Sequence, residues 1–483
     1  MAAPPDDPHP LAGGDGDNMV KVSILGSTGV IGKNVAFTLA REDTVDEIVM
    51  FSRPESLERA KGETYDMYDA LAARDIDCKL TPSSDFNDIA GSVIVLIAAG
   101  IHREKGMKRL DLAIPNTKIV KYYAKKIAEY SPESIILVAT NPVDVMTTIA
   151  LKASGFKKSK VIGVGNHLDS LRLKNYFSRQ IDINSSEVHT RVIGEHGDHM
   201  VPLLSSTTIG GIPLKYFVEY VNLDITGLVD QLKRAGNTII SKKGATEYGP
   251  AFAISNLMST IITDSHRVLT VSSFLDGEIE MVEDVSLGVP AVITKNGVAL
   301  IVQIHMNDIE KKEFYEAAHT VRDATCEVLK ELDLGDWVKL VVQRVTSASV
   351  EVEGKIVGEI DEGLMVLVGF GDMDTTREAD YLARKLAKLR IFEDEHGKMN
   401  KSVMDIGGKV LLVPQFTLYA YTKKNRPSFH KALSSDKATE LFDYFTDRCS
   451  ELICVETGMF GEFMKINLSN NGPVTILLEK EFN

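Results

Sequence analysis

The sequence predicts an α/β protein: a doubly wound parallel sheet extended by an α+β domain, with a separate α+β domain behind it. Three observations lead there. Short apolar strands alternate with helical stretches from residue 20 to about 165. The first of them, VKVSIL (20–25), runs straight into the glycine turn GSTGVIG. At Val338 the pattern restarts as KLVVQRVTSASVEVEGKIVGEIDEGLMVLVGFG, an apolar–polar alternation broken by glycine turns, which reads as a β-meander.

The 483 residues leave room for roughly three domains of about 100–200 residues. An apolar share of 44% and a charged share of 25% are those of an ordinary soluble globular chain. A run of about 18 uncharged apolar residues is missing, so a membrane protein is not expected. The net charge of −14 argues against a general nucleic-acid coat, DNA included, because phosphate contacts need an excess of Lys and Arg. Cys78, Cys326, Cys449 and Cys454 form no C-x-x-C pair, so neither a zinc site nor a disulfide framework is expected, and no metal is assigned. They suit a reducing compartment. Residues 1–18, rich in Pro, Gly and Asp, are expected to be a disordered tail. That tail has four Asp and no Lys or Arg, unlike a mitochondrial transit peptide, so a cytoplasmic location is expected.

Taken in order, the first strand and its turn lead into the helical pattern NVAFTLA. Strands are expected at EIVMF (47–51), SVIVLIAAG (92–100), SIILVAT (134–140) and KVIGVG (160–165), with a helix over 117–130. These make a dinucleotide-binding, Rossmann-type domain over 19–165. From about 182 the pattern changes to β-rich segments and two long helical stretches, near 226–263 and 307–332, giving a second domain over 166–332. A linker of 333–337 leads to the last domain, 338–483. Its meander is followed by the amphipathic helix READYLARKLAKLRIF, the strand KVLLVPQFTLY, a helix over 434–451 and terminal strands.

The turn Gly26-Ser27-Thr28-Gly29-Val30-Ile31-Gly32 lets backbone N–H groups approach a pyrophosphate at a helix N-terminus, although the same glycines also suit a plain structural turn. NAD enzymes of this fold place an acid at the end of the second strand. Here the strand ends Phe51-Ser52-Arg53, which suits the extra phosphate of NADP or, more simply, a solvated arginine. The charged segment GIHREKGMKRLDL (100–112) reads as a loop bearing Arg103 and Arg109. TNPVD puts Asn141 just past a strand at the sheet's carboxyl edge, where ligands bind. HLDSLRLK sets Asp169 and Arg172 three apart on one helix face, and IGEHGDHMVP presents His196.

With these motifs in this order, residues 20–332 resemble the lactate/malate dehydrogenase family, nearest to its archaeal-type malate dehydrogenases. The resemblance implies interconversion of malate and oxaloacetate with a nicotinamide cofactor, NADP favoured over NAD. His196 would accept the hydroxyl proton and Asp169 would orient and charge-balance it. Arg172 would clamp the C1 carboxylate, Arg109 would polarise the carbonyl, and Arg103 would pair with the second carboxylate, selecting malate over lactate. Asn141 would touch substrate or nicotinamide. Asn116 and Thr140 complete the cofactor-binding set with Asn141, Ser52, Arg53 and the glycine turn. His102 departs from the family's usual Pro or Ala.

From Lys339 on, LVVQRVTSASVEVEG (340–354), RIFEDEHGKMN (390–400), PQFTLYA (414–420), RPSFHKA (426–432) and NNGPVT (470–475) resemble D-aminoacyl-tRNA deacylases. The resemblance implies hydrolysis of D-aminoacyl-tRNA, with glycyl-tRNA also passing. Gly472-Pro473 would be a cis pair reaching into a partner's pocket and excluding L side chains. Gln415, Phe416 and Thr417 would line that pocket. Backbone N–H groups near Phe416 and Thr417 would stabilise an oxyanion. Thr417 is a candidate nucleophile, but its motif supplies no base, so hydrolysis aided by the RNA 2′-hydroxyl is the preferred reading. Pro414 stands where the deacylases generally have Ser. With 19 basic against 22 acidic side chains from Val338 on, tRNA would need a local cluster such as Lys423, Lys424, Arg426 and Lys431. Both families assemble as homo-oligomers. The leading expectation is one chain with two activities; the alternative keeps the last domain as a non-catalytic tRNA-binding or dimerisation module.

Overall fold

The computed structural model describes residues 19–42, 44–101, 109–217, 223–331, 338–371, 374–420, 426–429 and 432–479. The expected tail, the 333–337 linker, Arg103, His102, Lys423, Lys424 and Lys431 lie outside the described residues. Contacts divide the chain into two compact units, residues 1–325 and 326–483.

In the first unit, β1 (Lys21–Leu25), β2 (Glu47–Phe51), β3 (Lys79–Ser83), β4 (Ile94–Ile97), β5 (Ile135–Val138) and β6 (Val161–Gly163) form a parallel sheet in the order β3-β2-β1-β4-β5-β6. Apart from the edge strand β3 (KLTPS), the strands are largely apolar runs because helices cover both faces. α1 (Val30–Ala40) follows β1, α2 (Leu57–Ala72) follows β2, α3 (Arg109–Tyr130) follows β4, and α4 (Val143–Ser154) follows β5. The order reverses between β1 and β4, the position at which such sheets open a ligand crevice.

After β6, α5 (Asn166–Ile181) leads into the short strands β7 (Val188–His189), β8 (Val192–Gly194), β9 (Met200–Pro202), β10 (Thr208–Ile209) and β11 (Ile212–Pro213). α6 (Ile225–Lys243) and α7 (Tyr248–Ile262) follow, then a long hairpin of β12 (Arg267–Ile279) and β13 (Val282–Thr294), with β14 (Gly297–Ile301) beside it. β12 meets β6 at Ser272 opposite Gly163, and β13 meets β8 at Gly288 opposite Gly194, so the hairpin continues the first sheet. α8 (Asp308–Glu331) closes the sequence of elements before Val338. The helical stretch expected over 226–263 is two helices. Gly244, at φ +91°, ends α6 in a conformation a side chain would resist. The segment read as a loop over 100–112 is helical from Arg109.

The main core joins Val22, Ile24, Ile48 and Met50 of the sheet to Val35 and Leu39 of α1 and to Ile254, Leu257 and Met258 of α7. α7 thus covers the face on which α1 lies.

The second unit holds β15 (Lys339–Val352), β16 (Lys355–Ile360) and β17 (Gly363–Gly369), antiparallel as expected but not a meander: β16 pairs with the second half of β15 and β17 with its first half, so both return along the same strand. α9 (Thr376–Ala387) is followed by the small pair β18 (Phe392–Glu393) and β19 (Met399–Lys401). β20 (Lys409–Pro414) then runs parallel to β17. α10 (Ser435–Ser450) precedes β21 (Cys454–Thr457), which pairs parallel to β20. β22 (Lys465–Leu478) returns along almost the whole of β15. The strand expected over 409–419 stops at Pro414, and Phe416–Tyr419 form a 3-10 turn instead. Its core sets Leu340, Val342, Leu364, Val366, Val410 and Leu412 against Leu382 and Leu386 of α9 and Phe442 and Phe445 of α10.

The glycine turn after β1 leaves no room for side chains at two positions. A Cβ on Gly26, which sits at φ +93°, would lie 2.7 Å from the Ala99 nitrogen, and one on Gly32 would lie 2.3 Å from the Gly26 oxygen. Both obstacles are backbone and cannot rotate away. Gly32→Ala is therefore expected to destabilise the chain by about 1–3 kcal/mol, read as a lower Tm by calorimetry; an unchanged Tm would show that α1 can back off the turn freely.

Candidate active sites

The first site grows from the carboxyl edge of the parallel sheet. Gly26 and Ser27 N–H both donate to the Phe51 carbonyl, at 3.1 and 3.2 Å, so the glycine turn is tied to the end of β2. The buried Ser27 hydroxyl donates to the same carbonyl at 3.1 Å, a structural contact. Thr28, Val30 and Ile31 are half-buried around the mouth of the turn. Gly29 caps α1 with no side chain, and Lys33 N–H is the first to bond back to it, leaving the N–H groups of Val30, Ile31 and Gly32 without intrahelical acceptors. A concavity lined by glycines and aimed by a helix N-terminus fits the pyrophosphate of a dinucleotide. Ser52 is buried and bonded through its N–H to the Ser83 carbonyl, whereas Arg53 beside it is exposed.

On the other side of the switch point, the Thr140 hydroxyl donates to the Ala99 carbonyl at 2.7 Å, cross-linking the ends of β4 and β5. The fully buried Asn116 accepts from Ile101 N–H at 2.7 Å and donates to the Asn141 carbonyl at 2.7 Å. Asn116 and Thr140 spend their polar atoms on backbone. They shape the edge on which Asn141, exposed just before α4, is presented.

Asp169 lies in the first turn of α5 and is completely buried. Its Oδ2 is 2.6 Å from His196 Nδ1, and its Oδ1 accepts from Arg172 Nη1 at 3.1 Å. The structure thus brings together the three side chains that the sequence had spread over 28 positions. A buried carboxylate is costly unless paired, and here the Arg172 guanidinium, the His196 ring and the positive end of α5 surround it. His196 follows β8, and Gly165 makes space for its ring: a Cβ at Gly165 would lie 2.6 Å from His196 Cγ. Burial works against the imidazolium, but the Asp169 carboxylate, with Asp144 adding to it, outweighs burial and the opposing Arg172 charge and raises the His196 pKa above its ordinary value. This contribution to stability is fully present below the pKa of an unfolded histidine and is lost as pH rises through the higher folded value. With Nδ1 committed to Asp169, Nε2 is the ring atom left for substrate. Arg109 begins α3; its side chain, like the whole of Arg103, lies outside the described residues.

Sequence reasoning missed the residues that hold the His196 loop. Asn166 donates to the Gly194 carbonyl at 3.2 Å and packs on Gly288, where a Cβ would lie 2.2 Å from it. Asp144 Oδ2 accepts from His196 N–H at 2.8 Å. The buried Glu195 accepts from His199 N–H at 3.1 Å and lies 2.8 Å from its Nδ1. The only signal for these in the sequence was their proximity to the motif residues.

The second site is the end of β20 and the loop in β22. Gln415 Nε2 donates to the Thr417 hydroxyl, which is exposed, and Phe416 stacks edge-on against Phe429 with centroids 5.0 Å apart. The Phe416 and Thr417 N–H groups open the 3-10 turn, whose first returning bonds are from Leu418 and Ala420. Gln415 N–H bonds to the Val368 carbonyl of β17, so by alternation position 414 faces β21. β21 pairs only as far as Thr457 opposite Leu412, and Pro414 therefore removes no ladder bond. Gly472–Pro473 is cis, as the resemblance implied, and both residues are exposed. The pairing of β22 with β15 slips between Thr475 and Asn470, extruding this loop. Asn470 ties its two ends by accepting from Val474 N–H at 2.9 Å and donating to Gln343 at 2.8 Å. The buried Arg344 donates to the Asn471 carbonyl at 3.0 Å and to the Ile391 carbonyl at 2.6 Å. Arg344 and Asn470 were not foreseen either, although Arg344 stands in the quoted VVQRV motif. Of the expected basic cluster, Arg426 is exposed, and the three lysines lie outside the described residues.

Comparison with known proteins assigns the two segments that carry these residues to families. Residues 20–163 match the family model of the lactate/malate dehydrogenase NAD binding domain, and residues 166–332 that of the lactate/malate dehydrogenase alpha/beta C-terminal domain. Residues 341–479 match the D-Tyr-tRNA(Tyr) deacylase model. A malate dehydrogenase of Methanosphaera stadtmanae is 64% identical over 315 residues, which is 65% of this chain and 99% of that protein. An L-2-hydroxycarboxylate dehydrogenase (NAD(P)(+)) of Methanocaldococcus jannaschii is 42% identical, over 65% of this chain and 100% of its own length. The crystal structure of Cryptosporidium parvum malate dehydrogenase superposes with a TM-score of 0.62 at 32% identity, covering 65% of this chain and 99% of that one. Over residues 20–332 the chain belongs to the lactate/malate dehydrogenase family, and behind that segment it carries a domain of the D-Tyr-tRNA(Tyr) deacylase family.

Proposed function

We propose that this chain is bifunctional: a nicotinamide-dependent dehydrogenase interconverting malate and oxaloacetate, and a hydrolase of D-aminoacyl-tRNA. The observation that supports the first activity is the contact of His196 Nδ1 with the buried Asp169, which Arg172 shares. In oxidation, His196 Nε2 takes the hydroxyl proton of malate while Asp169 stabilises the imidazolium that results. Arg172 holds the C1 carboxylate, and Arg109 polarises the oxygen that becomes a carbonyl. Arg103 pairs with the second carboxylate; a monocarboxylate would leave that cation unpaired in a closed site, at a cost of several kcal/mol. Gly26 to Gly32 hold the cofactor pyrophosphate, and Asn141 lies at the edge where its nicotinamide end would sit. The bound nicotinamide supplies the acceptor for the C2 hydride. The exposed Arg53, with no acid at the end of β2, favours the 2′-phosphate of NADP over the free hydroxyl of NAD.

For the second activity, water adds to the aminoacyl carbonyl carbon and the bond to the ribose oxygen breaks. The N–H groups of Phe416 and Thr417 stabilise the oxyanion, and Gln415 lines the pocket. Gln415 donates onto the Thr417 oxygen, which lowers its nucleophilicity, so the RNA 2′-hydroxyl assists in place of a covalent Thr417 intermediate. The carbonyls at Gly472 and Pro473 capture the ammonium group and exclude an L side chain, while glycine passes. In the resembled deacylases this pair works in a partner's pocket, so a homo-oligomer is assigned. Among the described residues no helix is long and apolar enough to cross a membrane; a cytoplasmic location is the companion reading.

Steady-state kinetics with oxaloacetate and each reduced cofactor should show the higher kcat/KM with NADPH. In Arg103→Gln, oxaloacetate reduction should fall far more than pyruvate reduction; equal losses would remove the substrate assignment. His196 must be neutral for oxidation and charged for reduction, so its raised pKa favours reduction at neutral pH. Asp169→Asn removes the main anionic support: kcat should fall about 10²–10⁴-fold, and the pH midpoint of malate oxidation should move down. A midpoint that stays put would show that another group titrates. With D- and L-tyrosyl-tRNA, the full chain should hydrolyse only the D form, and Gly472→Ala, strained at φ +132°, should lose that selectivity while the dehydrogenase kinetics hold. D-tyrosyl-tRNA left intact by the unsubstituted chain would assign the last domain to binding alone.

A further inference from the structure

The mechanism above uses one carboxylate, Asp169, yet a second one meets the same histidine. Asp144 lies in the first turn of α4 and is 1% exposed. Its Oδ2 accepts from the His196 backbone N–H at 2.8 Å, and its Oδ1 accepts from the Ser272 hydroxyl at 2.6 Å. Ser272 is completely buried on β12, at the point where that strand meets Gly163 of β6. The same helix is tied again by Thr148, whose hydroxyl is 2.9 Å from that of Ser286 on β13. α4 is thereby registered against the long hairpin at two hydroxyls. The N-terminus of a helix favours negative charge, so an ionised Asp144 is at home there.

We propose that Asp144 is a positioning residue of the hydride-transfer site: it fixes the His196 backbone and supplies a second negative charge behind the imidazole. The proposal rests on the reading of His196 as the proton carrier. Asp169 aligns the ring from the side of α5, and Asp144 aligns the main chain from the side of α4, so the imidazole cannot pivot about either contact alone. Among the described residues, the charged groups that act on His196 are Asp169 and Arg172 from α5 and Asp144 from α4, with Glu195 and His199 on its own loop. Asp144 acts with Asp169 and against Arg172 on the protonation of the ring. Ser272, being neutral, can affect geometry only.

Two variants separate charge from geometry. Asp144→Asn keeps an acceptor for the His196 N–H and removes the charge. Ser272→Ala keeps the charge and releases Oδ1. With histidine ring carbons labelled in the full chain and the His196 signal assigned by His196→Gln, NMR titration should show a lower His196 midpoint in Asp144→Asn and none lower in Ser272→Ala. The malate-oxidation profile should shift to lower pH in Asp144→Asn, with kcat down about 10–100-fold and KM close to that of the unsubstituted protein. An unchanged His196 midpoint in Asp144→Asn, or an equal fall in Ser272→Ala, would overturn the proposal. A ring midpoint that falls while the malate profile stays fixed would uphold the Asp144 contact and instead refute His196 as the proton carrier.

Discussion

The contact between Asp169 and His196 is the constraint around which the first unit is arranged. A carboxylate with no exposed surface is tolerable only where cations and dipoles replace the water it has lost. α5 supplies one dipole by starting just before Asp169, and Arg172 supplies a cation one turn on. The imidazole completes the set, but only because residue 165 lacks a side chain and Asn166 holds the Gly194 carbonyl. The start of α5, the close meeting of β13 with β8 and the glycine at 165 are thus parts of one arrangement. Removing either member of a buried pair of this kind typically costs about 3–5 kcal/mol, so the geometry proposed to serve proton transfer is also a fixed point of the fold.

The cofactor side is governed by steric exclusion instead of charge. Gly26 lets the backbone after β4 approach, and Gly32 lets α1 sit directly on the turn. The hydrogen bonds of Gly26 and Ser27 to Phe51 then bring the end of β2 to the same spot. Arg53 is consequently placed next to the turn by backbone geometry alone, whatever its side chain contacts. The NADP preference proposed for Arg53 would need this kind of fixed root, because the 2′-phosphate would lie a short, defined distance along the same cofactor.

Much of this was legible beforehand, for identifiable reasons. Buried parallel strands are continuous apolar runs, so β1, β2, β4, β5 and β6 stood out in the sequence, and i, i+3 spacing put Asp169 and Arg172 on one face. What stayed hidden was set by tertiary approach. Nothing local in NPVD marks Asp144 as a partner of His196, 52 residues away. Gly165 and Gly288 read as ordinary glycines until the groups they admit are seen. The break between α6 and α7 was missed because both flanks keep a helical apolar pattern and only the four residues from Gly244 to Glu247 intervene. The strand drawn through PQFTLY failed for a related reason: apolar and aromatic residues there suit a strand, but β21 ends at Thr457, and past Pro414 the chain has no neighbour on that side with which to continue the ladder.

The second unit holds its proposed recognition loop chiefly by polar contacts. Its Gly472–Pro473 tip is exposed, so packing cannot hold it. Polar anchoring does so instead: Asn470 closes the base of the loop on itself, and the buried Arg344 grips the Asn471 carbonyl while its other nitrogen is fixed to Ile391. A guanidinium suits that task because its planar fork fixes the direction of each bond, where a lysine ammonium would fix only a distance. Arg344 springs from β15, the strand that pairs with β22 on one side and β17 on the other. The position of the exposed tip is therefore referred to the middle of the sheet, which the proposed selection by exclusion would demand: a loop that yielded by an ångström would then admit an L side chain.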